Sequence, residues 1–452
     1  QLSSENSYDV FDANIKKFVT ANQKRYDYIS KEAMEYIRTK AENAALTEMF
    51  VSFSGGKDST VVSELVMRAL GTQEILHLYG DTTLEFPESK EYVKRFRKEH
   101  PKTLVDTAKN KDKNFEELCE QLGPPSRVMR WCCTIFKTGA IQRKIKALFG
   151  DKDKIITFYG IRRSESASRS KYERETEGSK ITKQITISPI IDWMDFDIWL
   201  YLLTTKTDFN DAYRWGYTRV GCWCCPNNSA WSEFLSRIYM PEQSKHWQEL
   251  LVNFARRIGK PDAESYIRDG KWKARQGGNG VEYANKAVVS FKPCVLEENS
   301  FNYELQRPIS EELYELFRPF GYINKNLGNE RLGEVFITTK NGNPRIKLQG
   351  RIGKTTLKVT IYDTHLDGAK NLETAEDKIK CQLTKYQLCM GCKACESICK
   401  HNAIVIRDEK DGSISYHILD EKCVRCGECV NHYVGGCYIR KVLATKRGKR
   451  EE

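Results

Sequence analysis

No run among the 452 residues is apolar for long enough to cross a bilayer, and no secretory segment is visible, so no membrane partner is expected. Low-complexity tracts are absent, and so are internal repeats apart from one doubled cysteine motif. The 16 cysteines are not spread as a disulfide framework would be; they gather in a few short stretches. Clustered thiols without a secretory segment point to a reducing compartment, the cytoplasm, and to metal ligation. A hydrophobic content of 40% suffices for globular cores, and the length exceeds what one core holds, so two to four domains are expected. The formal charge of +12, with Lys137 to Lys146 and the tail Lys446-Arg447-Gly448-Lys449-Arg450, leaves basic surface. Counterion release suits such a surface to a polyanion, nucleic acid above all, and ordinary solubility accounts for it equally well.

What is present begins with Ser54-Gly55-Gly56-Lys57-Asp58-Ser59-Thr60, entered from the apolar run Met49 to Phe53 and leading into Val61 to Met67. A strand, a glycine turn and a helix N-terminus form an anion cradle, because free amides and the positive helix end point at one spot. Gly55 and Gly56 permit close approach, Lys57 adds a mobile charge, and Ser54, Ser59 and Thr60 add hydroxyls. The spacing is not that of a Walker A loop. The alternative is a plain Gly-Gly turn between a strand and a helix. The heptapeptide resembles the PP-loop of ATP pyrophosphatases, and the resemblance implies binding of the pyrophosphate of ATP, with Lys57 and Asp58 as catalytic residues and Mg2+ as cofactor. Asp81, after the apolar run Ile75 to Tyr79, stands at a strand's carboxyl end, where it could bind ribose or Mg2+.

Near the C-terminus, Cys389, Cys392, Cys395 and Cys399 are spaced C-x2-C-x2-C-x3-C, and Cys423, Cys426, Cys429 and Cys437 follow as C-x2-C-x2-C-x7-C. Three thiolates on one tight loop can grip three corners of a cubane while the fourth ligand arrives from the other motif. That logic groups Cys389, Cys392 and Cys395 with Cys437, and Cys423, Cys426 and Cys429 with Cys399. The pattern is similar to bacterial two-cluster ferredoxins, with Lys400 where a proline is usual and a lengthened second motif. Zinc is the alternative, although a doubled motif exceeds what tetrahedral sites need.

Upstream, Cys132-Cys133 and Cys222-Trp223-Cys224-Cys225 pair a tandem with a C-x2-C. Here the chain resembles adenylyl-sulfate reductases of the PAPS reductase family, which implies a third [4Fe–4S] cluster on Cys132, Cys133, Cys222 and Cys225, with Cys224 as an extra thiol; buried structural cysteines are the alternative. More of that family's pattern lies between: Ile155 to Gly160 reads as a buried strand, followed by Arg162, Arg163 and Arg169, whose guanidinium forks suit a phosphate or sulfate unless they form a solvated turn. Ser188 to Trp193 and Asp195 to Tyr201 look like the family's paired Asp-Trp segments, with Trp199 read as packing. The resemblance covers about residues 45 to 230.

The expected fold is α/β: an open parallel sheet with flanking helices (adenine nucleotide alpha hydrolase-like), then a small α+β module and a ferredoxin-like iron–sulfur domain. The expected divisions are residues 1–46 (helical), 47–235 (PP-loop domain), 236–284 (helical, with a mobile loop at Gly277-Gly278-Asn279-Gly280), 285–375 (α+β) and 376–452 (ferredoxin and basic tail). Two functions compete. The first is an adenylylating ATP pyrophosphatase that, with up to three clusters, places sulfur in DNA, as in Dnd/Ssp-type phosphorothioation, or in tRNA, helped by a sulfur- or electron-donor protein such as a cysteine desulfurase. The second is a ferredoxin-fused APS/PAPS reductase producing sulfite; a passive electron carrier is a weaker third. The intact loop favours the first, as does the lack in residues 1–452 of the Glu-Cys-Gly-Leu-His segment that carries the reductase nucleophile. The tandem cysteines favour the second, with Cys294 and Cys119 as poor substitute nucleophiles.

Overall fold

A computed structural model describes residues 4–127, 130–150, 152, 154–167, 169–177, 184–273, 290–389, 391, 393–410, 414–431 and 446–447. Contacts divide the chain into two compact units, residues 1–110 with 136–245, and residues 111–135 with 246–452. Among the described residues no helix is long and apolar enough to cross a membrane.

The first unit is built on strands β1 (Met49–Phe53), β2 (Leu76–Asp81), β3 (Val105–Lys109), β4 (Ile155–Tyr159), β5 (Glu175–Glu177) and β6 (Gln184–Ile187). They form one sheet in the order β3-β2-β1-β4-β6-β5, parallel except for β5 at the edge. The apolar composition of β1 and β4 fits strands covered on both faces. One face, with Val51, Phe53, Tyr79 and Phe158, packs on the helices Gln23–Ala41, Lys57–Leu70, Pro87–Glu99 and Asp195–Thr205. The other, with Phe50, Leu78, Ala108 and Ile155, packs on Ile145 and Phe149 of the helix Gly139–Phe149. The chain runs outward from β1 to β3, then returns to place β4 on the opposite side of β1. The crevice beyond the carboxyl ends of β1 and β4 is therefore a topological switch point, where open α/β sheets bind ligands.

His77 of β2 is fully buried; its Nε2 meets Ser63 Oγ at 2.7 Å and its Nδ1 meets the Ile75 carbonyl at 3.0 Å. Burial lowers its pKa to about 4, from an ordinary 6.5. Between those values the unfolded chain takes up a proton that the folded chain refuses. The stability tied to neutral His77 is present above about pH 6.5 and lost as pH falls towards 4, on the order of 3 kcal/mol in total. Urea midpoints of His77→Gln should therefore vary less with pH across this window than wild type; equal slopes would refute the assignment.

The second unit carries β7 (Ser290–Pro293), β8 (Ser300–Glu304), β9 (Tyr322–Asn324), β10 (Glu334–Thr338), β11 (Pro344–Gln349) and β12 (Thr356–Ile361). A hairpin of β13 (Ile404–Asp408) and β14 (Ile414–Ile418) follows, and then β15 (Lys446–Arg447). The large sheet runs β15-β7-β8-β12-β11-β10-β9, with the β10–β11 turn at Gly342, φ +84°. Its strands alternate: Phe301, Tyr303, Ile346, Leu348, Leu357 and Val359 are buried in one core, and the residues between them form a polar face. Ile379, Leu383 and Tyr386 of the helix Leu372–Leu388 join the same core as Ile404, Ile406, Tyr416 and Ile418 of the hairpin. The α+β module and the iron–sulfur region thus share a hydrophobic core, and the boundary expected at residue 375 falls inside that helix. The boundary expected at residue 235 likewise falls inside the helix Ala230–Tyr239. The glycine loop expected at Gly277 to Gly280 lies outside the described residues.

Candidate functional site

After β1 the chain turns through Gly55, whose φ of +71° strains any side chain, and the helix opens at Lys57 with Gly56 as an uncapped N-cap. Two amides here are committed: Ser54 N–H donates to Ser59 Oγ at 3.2 Å, and Lys57 N–H donates to Tyr213 Oη at 3.0 Å. The amides of Gly55, Gly56, Asp58 and Ser59 meet no acceptor among the described residues. Four uncommitted donors at the start of a 14-residue helix make a cradle for an anion. The hydroxyls serve the scaffold instead. Ser54 and Ser59 bond each other at 3.1 Å, Ser59 donates to the Gly56 carbonyl at 2.8 Å, and buried Thr60 pairs with Tyr92 Oη at 2.9 Å.

Two cations and two carboxylates alternate beside the cradle. Lys57, only 5% exposed, places Nζ 3.1 Å from Asp195 Oδ1, 3.6 Å from Asp58 Oδ2 and 3.4 Å from the Thr218 carbonyl. Arg162 comes from the other side of the switch point, just past β4; it is 4% exposed, donates from Nε to Asp58, and from Nη2 to Asp195 at 3.2 Å. Asp195 is the solvent-facing member, with 59% of its side chain exposed. Tyr213 closes the cradle: its ring lies under Lys57 Nζ and edge-on to Trp199, and burial raises its phenol pKa so that it stays protonated.

The other expected residues lie apart. Arg163 turns to Asp192 and the Tyr172 carbonyl, and Arg169 pairs with Glu165. Asp81 caps its own turn through the Thr83 amide at 2.8 Å and faces Lys109 at 3.5 Å. Sequence reasoning missed Asp195 and Tyr213 as site members. Asp195 stood in a segment read for its core spacing, and Tyr213 lies 156 positions from its partner Lys57 with no local signal. A charge-assisted hydrogen bond contributes about 1.5–3 kcal/mol, or roughly ten- to a hundred-fold in affinity, and an exposed ion pair far less. Arg162→Ala should thus weaken pyrophosphate binding at least tenfold by calorimetry, and Arg163→Ala or Arg169→Ala by no more than about twofold. Equal losses from all three would contradict the geometry.

Cys222 and Cys225 belong to the first unit. They occupy a turn closed by Cys225 N–H on the Cys222 carbonyl at 3.2 Å, which Asn228 Nδ2 also reaches at 3.2 Å. The turn is pinned to the segment after β2 by Trp223 N–H on the Leu84 carbonyl at 3.0 Å, and Thr82 Oγ1 lies 3.5 Å from Cys222 Sγ. It begins four positions beyond Thr218, which holds Lys57. Cys224 is buried. Cys132 and Cys133 lie near the end of the second-unit segment Lys111–Ile135, and Cys133 opens a π-helical turn, Cys133–Thr138.

Also in the second unit, Cys399, Cys423, Cys426 and Cys429 line a single hollow, whose wall includes Pro319, Ala403, Ile404 and Ile418 together with His401, Arg425 and Glu428. Four thiols facing one hollow are the donor set that a cubane asks for. Cys389 and Cys395 pack against the shared core, while Cys392 and Cys437 lie outside the described residues. Among the described residues no three His, Cys, Asp or Glu side chains converge on one metal ion.

Residues 48–228 match the phosphoadenosine phosphosulfate reductase domain, and residues 388–432 match the 4Fe-4S dicluster domain. Uncharacterized protein MJ0066 of Methanocaldococcus jannaschii is 30% identical over 266 residues, 59% of this chain and 54% of that protein. The chain thus spans about half the length of this curated relative. Adenosine 5′-phosphosulfate reductase 1 of Bacillus subtilis is 27% identical over 190 residues, 42% of this chain and 77% of that enzyme. Among solved structures, the phosphoadenylyl-sulfate reductase of Candida auris in its phosphate complex is 16% identical, with a TM-score of 0.34 over 45% of this chain and 96% of that one.

Proposed function

We propose that this chain, which carries a phosphoadenosine phosphosulfate reductase domain and a 4Fe-4S dicluster domain, is an ATP pyrophosphatase that adenylylates an oxygen of a nucleic acid so that sulfur can replace it. The observation that carries the reading is the set of uncommitted amides at Gly55, Gly56, Asp58 and Ser59 beside Lys57 and Arg162. A pyrophosphate leaving group needs such a cradle, because negative charge accumulates on it as the bond between the α-phosphorus and the bridging oxygen breaks. The acceptor oxygen attacks the α-phosphorus and pyrophosphate departs; a hydrosulfide-level sulfur from a donor protein then attacks the atom bearing that oxygen, and AMP departs. Entry of the phosphates replaces Asp195, the exposed carboxylate, as the partner of Lys57 and Arg162, while Asp58 remains to position both cations. Asp58 would also supply the carboxylate for Mg2+, which offsets phosphate charge. Cys399, Cys423, Cys426 and Cys429 would hold one [4Fe–4S] cluster, whose chemistry is one-electron transfer.

The reductase alternative needs a thiol to attack the sulfate sulfur. Cys119 is buried, and burial raises its pKa well above the ordinary thiol range. Cys294 is the better candidate: the Leu296 amide lowers its pKa, and it stands in the second unit at the end of β7. An anaerobic assay on cluster-reconstituted protein separates the two. Pyrophosphate from ATP, raised by added DNA or tRNA, with no sulfite from APS or PAPS plus reductant, is the expected result. Sulfite without pyrophosphate, lost in Cys294→Ser, would overturn the reading.

A further inference from the structure

The polar face of the seven-stranded sheet forms one wall of a cleft of about 860 Å³ within the second unit. Lys292, Asn302 and Lys358 occupy one row of paired positions across β7, β8 and β12, so all three stand on the same face. At the inter-strand spacing, Lys292 and Lys358 lie roughly 10 Å apart. Thr356 stands on that face two positions along, and the hairpin Gly350-Arg351-Ile352-Gly353-Lys354 closes the end. Neither Arg351 nor Lys354 has an ion-pair partner among the described residues; Arg351 Nε donates only to the Arg331 carbonyl, at 2.8 Å. The hairpin depends on its glycines. A Cβ on Gly350 would stand 2.4 Å from Ile309 Cδ1 and 2.9 Å from the Thr356 carbonyl, and Gly353 has φ +80°. The lining carboxylate, Glu304, accepts from the Thr355 hydroxyl.

The neighbouring part of the face already shows what it does with an anion. Glu297, from the turn between β7 and β8, reaches back to Lys358, to Lys347 at 3.1 Å and to Thr360 Oγ1 at 3.1 Å. The Lys358 contact above all holds its pKa down, at about 2. The described part of the basic tail, Lys446–Arg447, pairs with β7 as the edge strand of this same sheet.

We propose that this cleft holds the phosphodiester backbone of a single-stranded nucleic acid, with Arg351 and Lys354 on one side and Lys292 and Lys358 on the sheet as the phosphate contacts. This rests on the nucleic-acid acceptor named above and assigns the surface that holds it. Lysines and an arginine aimed at phosphates fix position without reading sequence, so affinity should be salt-dependent and indifferent to base order.

The test is fluorescence anisotropy on the full chain with labelled single-stranded RNA and DNA of about 12 nucleotides, a length matched to one binding surface. Wild type is compared with Arg351→Gln/Lys354→Gln, and with Lys340→Gln/Lys370→Gln as an exposed charge control. Loss of two phosphate contacts should weaken binding at least tenfold and flatten the logarithmic salt slope by about 1.4, roughly 0.7 per contact on a single strand. The control should change by no more than about twofold. RNA and DNA arms identify the sugar. Equal affinity and slope in the cleft variant and wild type, or displacement of the oligonucleotide by polyglutamate at equal charge, would overturn the proposal. Pyrophosphate release from ATP by wild type is scored separately. Its absence, with oligonucleotide binding still dependent on Arg351 and Lys354, would overturn the pyrophosphatase reading and leave the cleft assignment standing.

Discussion

Lys57→Ala should lose pyrophosphate release by on the order of 10²- to 10³-fold while keeping its iron content and cluster absorbance, the cost usual for removing one preorganised group from developing charge. The lysine is the first residue of its helix, 5% exposed, with its ammonium between Asp58 and Asp195 and over the Tyr213 ring. Alanine removes the charge proposed to meet the leaving group and leaves the backbone unaltered, since the Lys57 amide, not its side chain, holds Tyr213 Oη. It also leaves Asp195 with one cation, Arg162, at 3.2 Å. Two readouts separate chemistry from folding. A thermal midpoint within a few degrees of wild type, with turnover lost, supports the leaving-group role. Turnover retained within about tenfold would show that the amides and Arg162 suffice, and a fall in iron content together with turnover would make Lys57 a structural residue.

What sequence reasoning reached was local, and what it missed was long-range. Ser54 to Thr60 could be read because a strand, two glycines and a helix start within a dozen positions, each with its own signal. The C-x2-C-x2-C spacings were legible for the same reason. Arg162, Arg163 and Arg169 looked equivalent as three arginines on one turn. The structure separates them because Arg162 extends from the end of β4 across the switch point, whereas the following 3₁₀ turn carries Arg163 to Asp192. Asp195 and Tyr213 reach Lys57 only through the packing of the helix Asp195–Thr205 and the segment after it, over more than a hundred positions. The module boundary was illegible for a different reason. The helix Leu372–Leu388 covers the large sheet and then runs straight into Cys389, with no break in composition to mark a change of module.

The residue whose replacement should be felt most broadly carries no functional group. Gly160 follows β4, and a Cβ there would stand 2.7 Å from the Asp58 carbonyl carbon, 2.8 Å from its oxygen and 2.8 Å from the Ser59 nitrogen. Every contact is backbone, so no side chain can swing aside; the loop or the end of β4 must move. That contact sets how closely Asp58 and Ser59, two of the four amide donors, approach the strand that delivers Arg162. Overpacking a well-filled site costs about 1–3 kcal/mol, and a displacement of about 1 Å in a reacting geometry costs roughly a hundredfold. Gly160→Ala should therefore lower the first unit's thermal midpoint modestly and cut ATP turnover at least a hundredfold, with ATP affinity falling alongside. Gly71→Ala serves as the comparison: that glycine ends the same helix at φ +68° with open space around its Cβ, so it carries backbone strain without the clash. If Gly71→Ala and Gly160→Ala lose stability alike, and turnover survives in both, then the close approach of β4 to the loop does not set the geometry of the anion cradle.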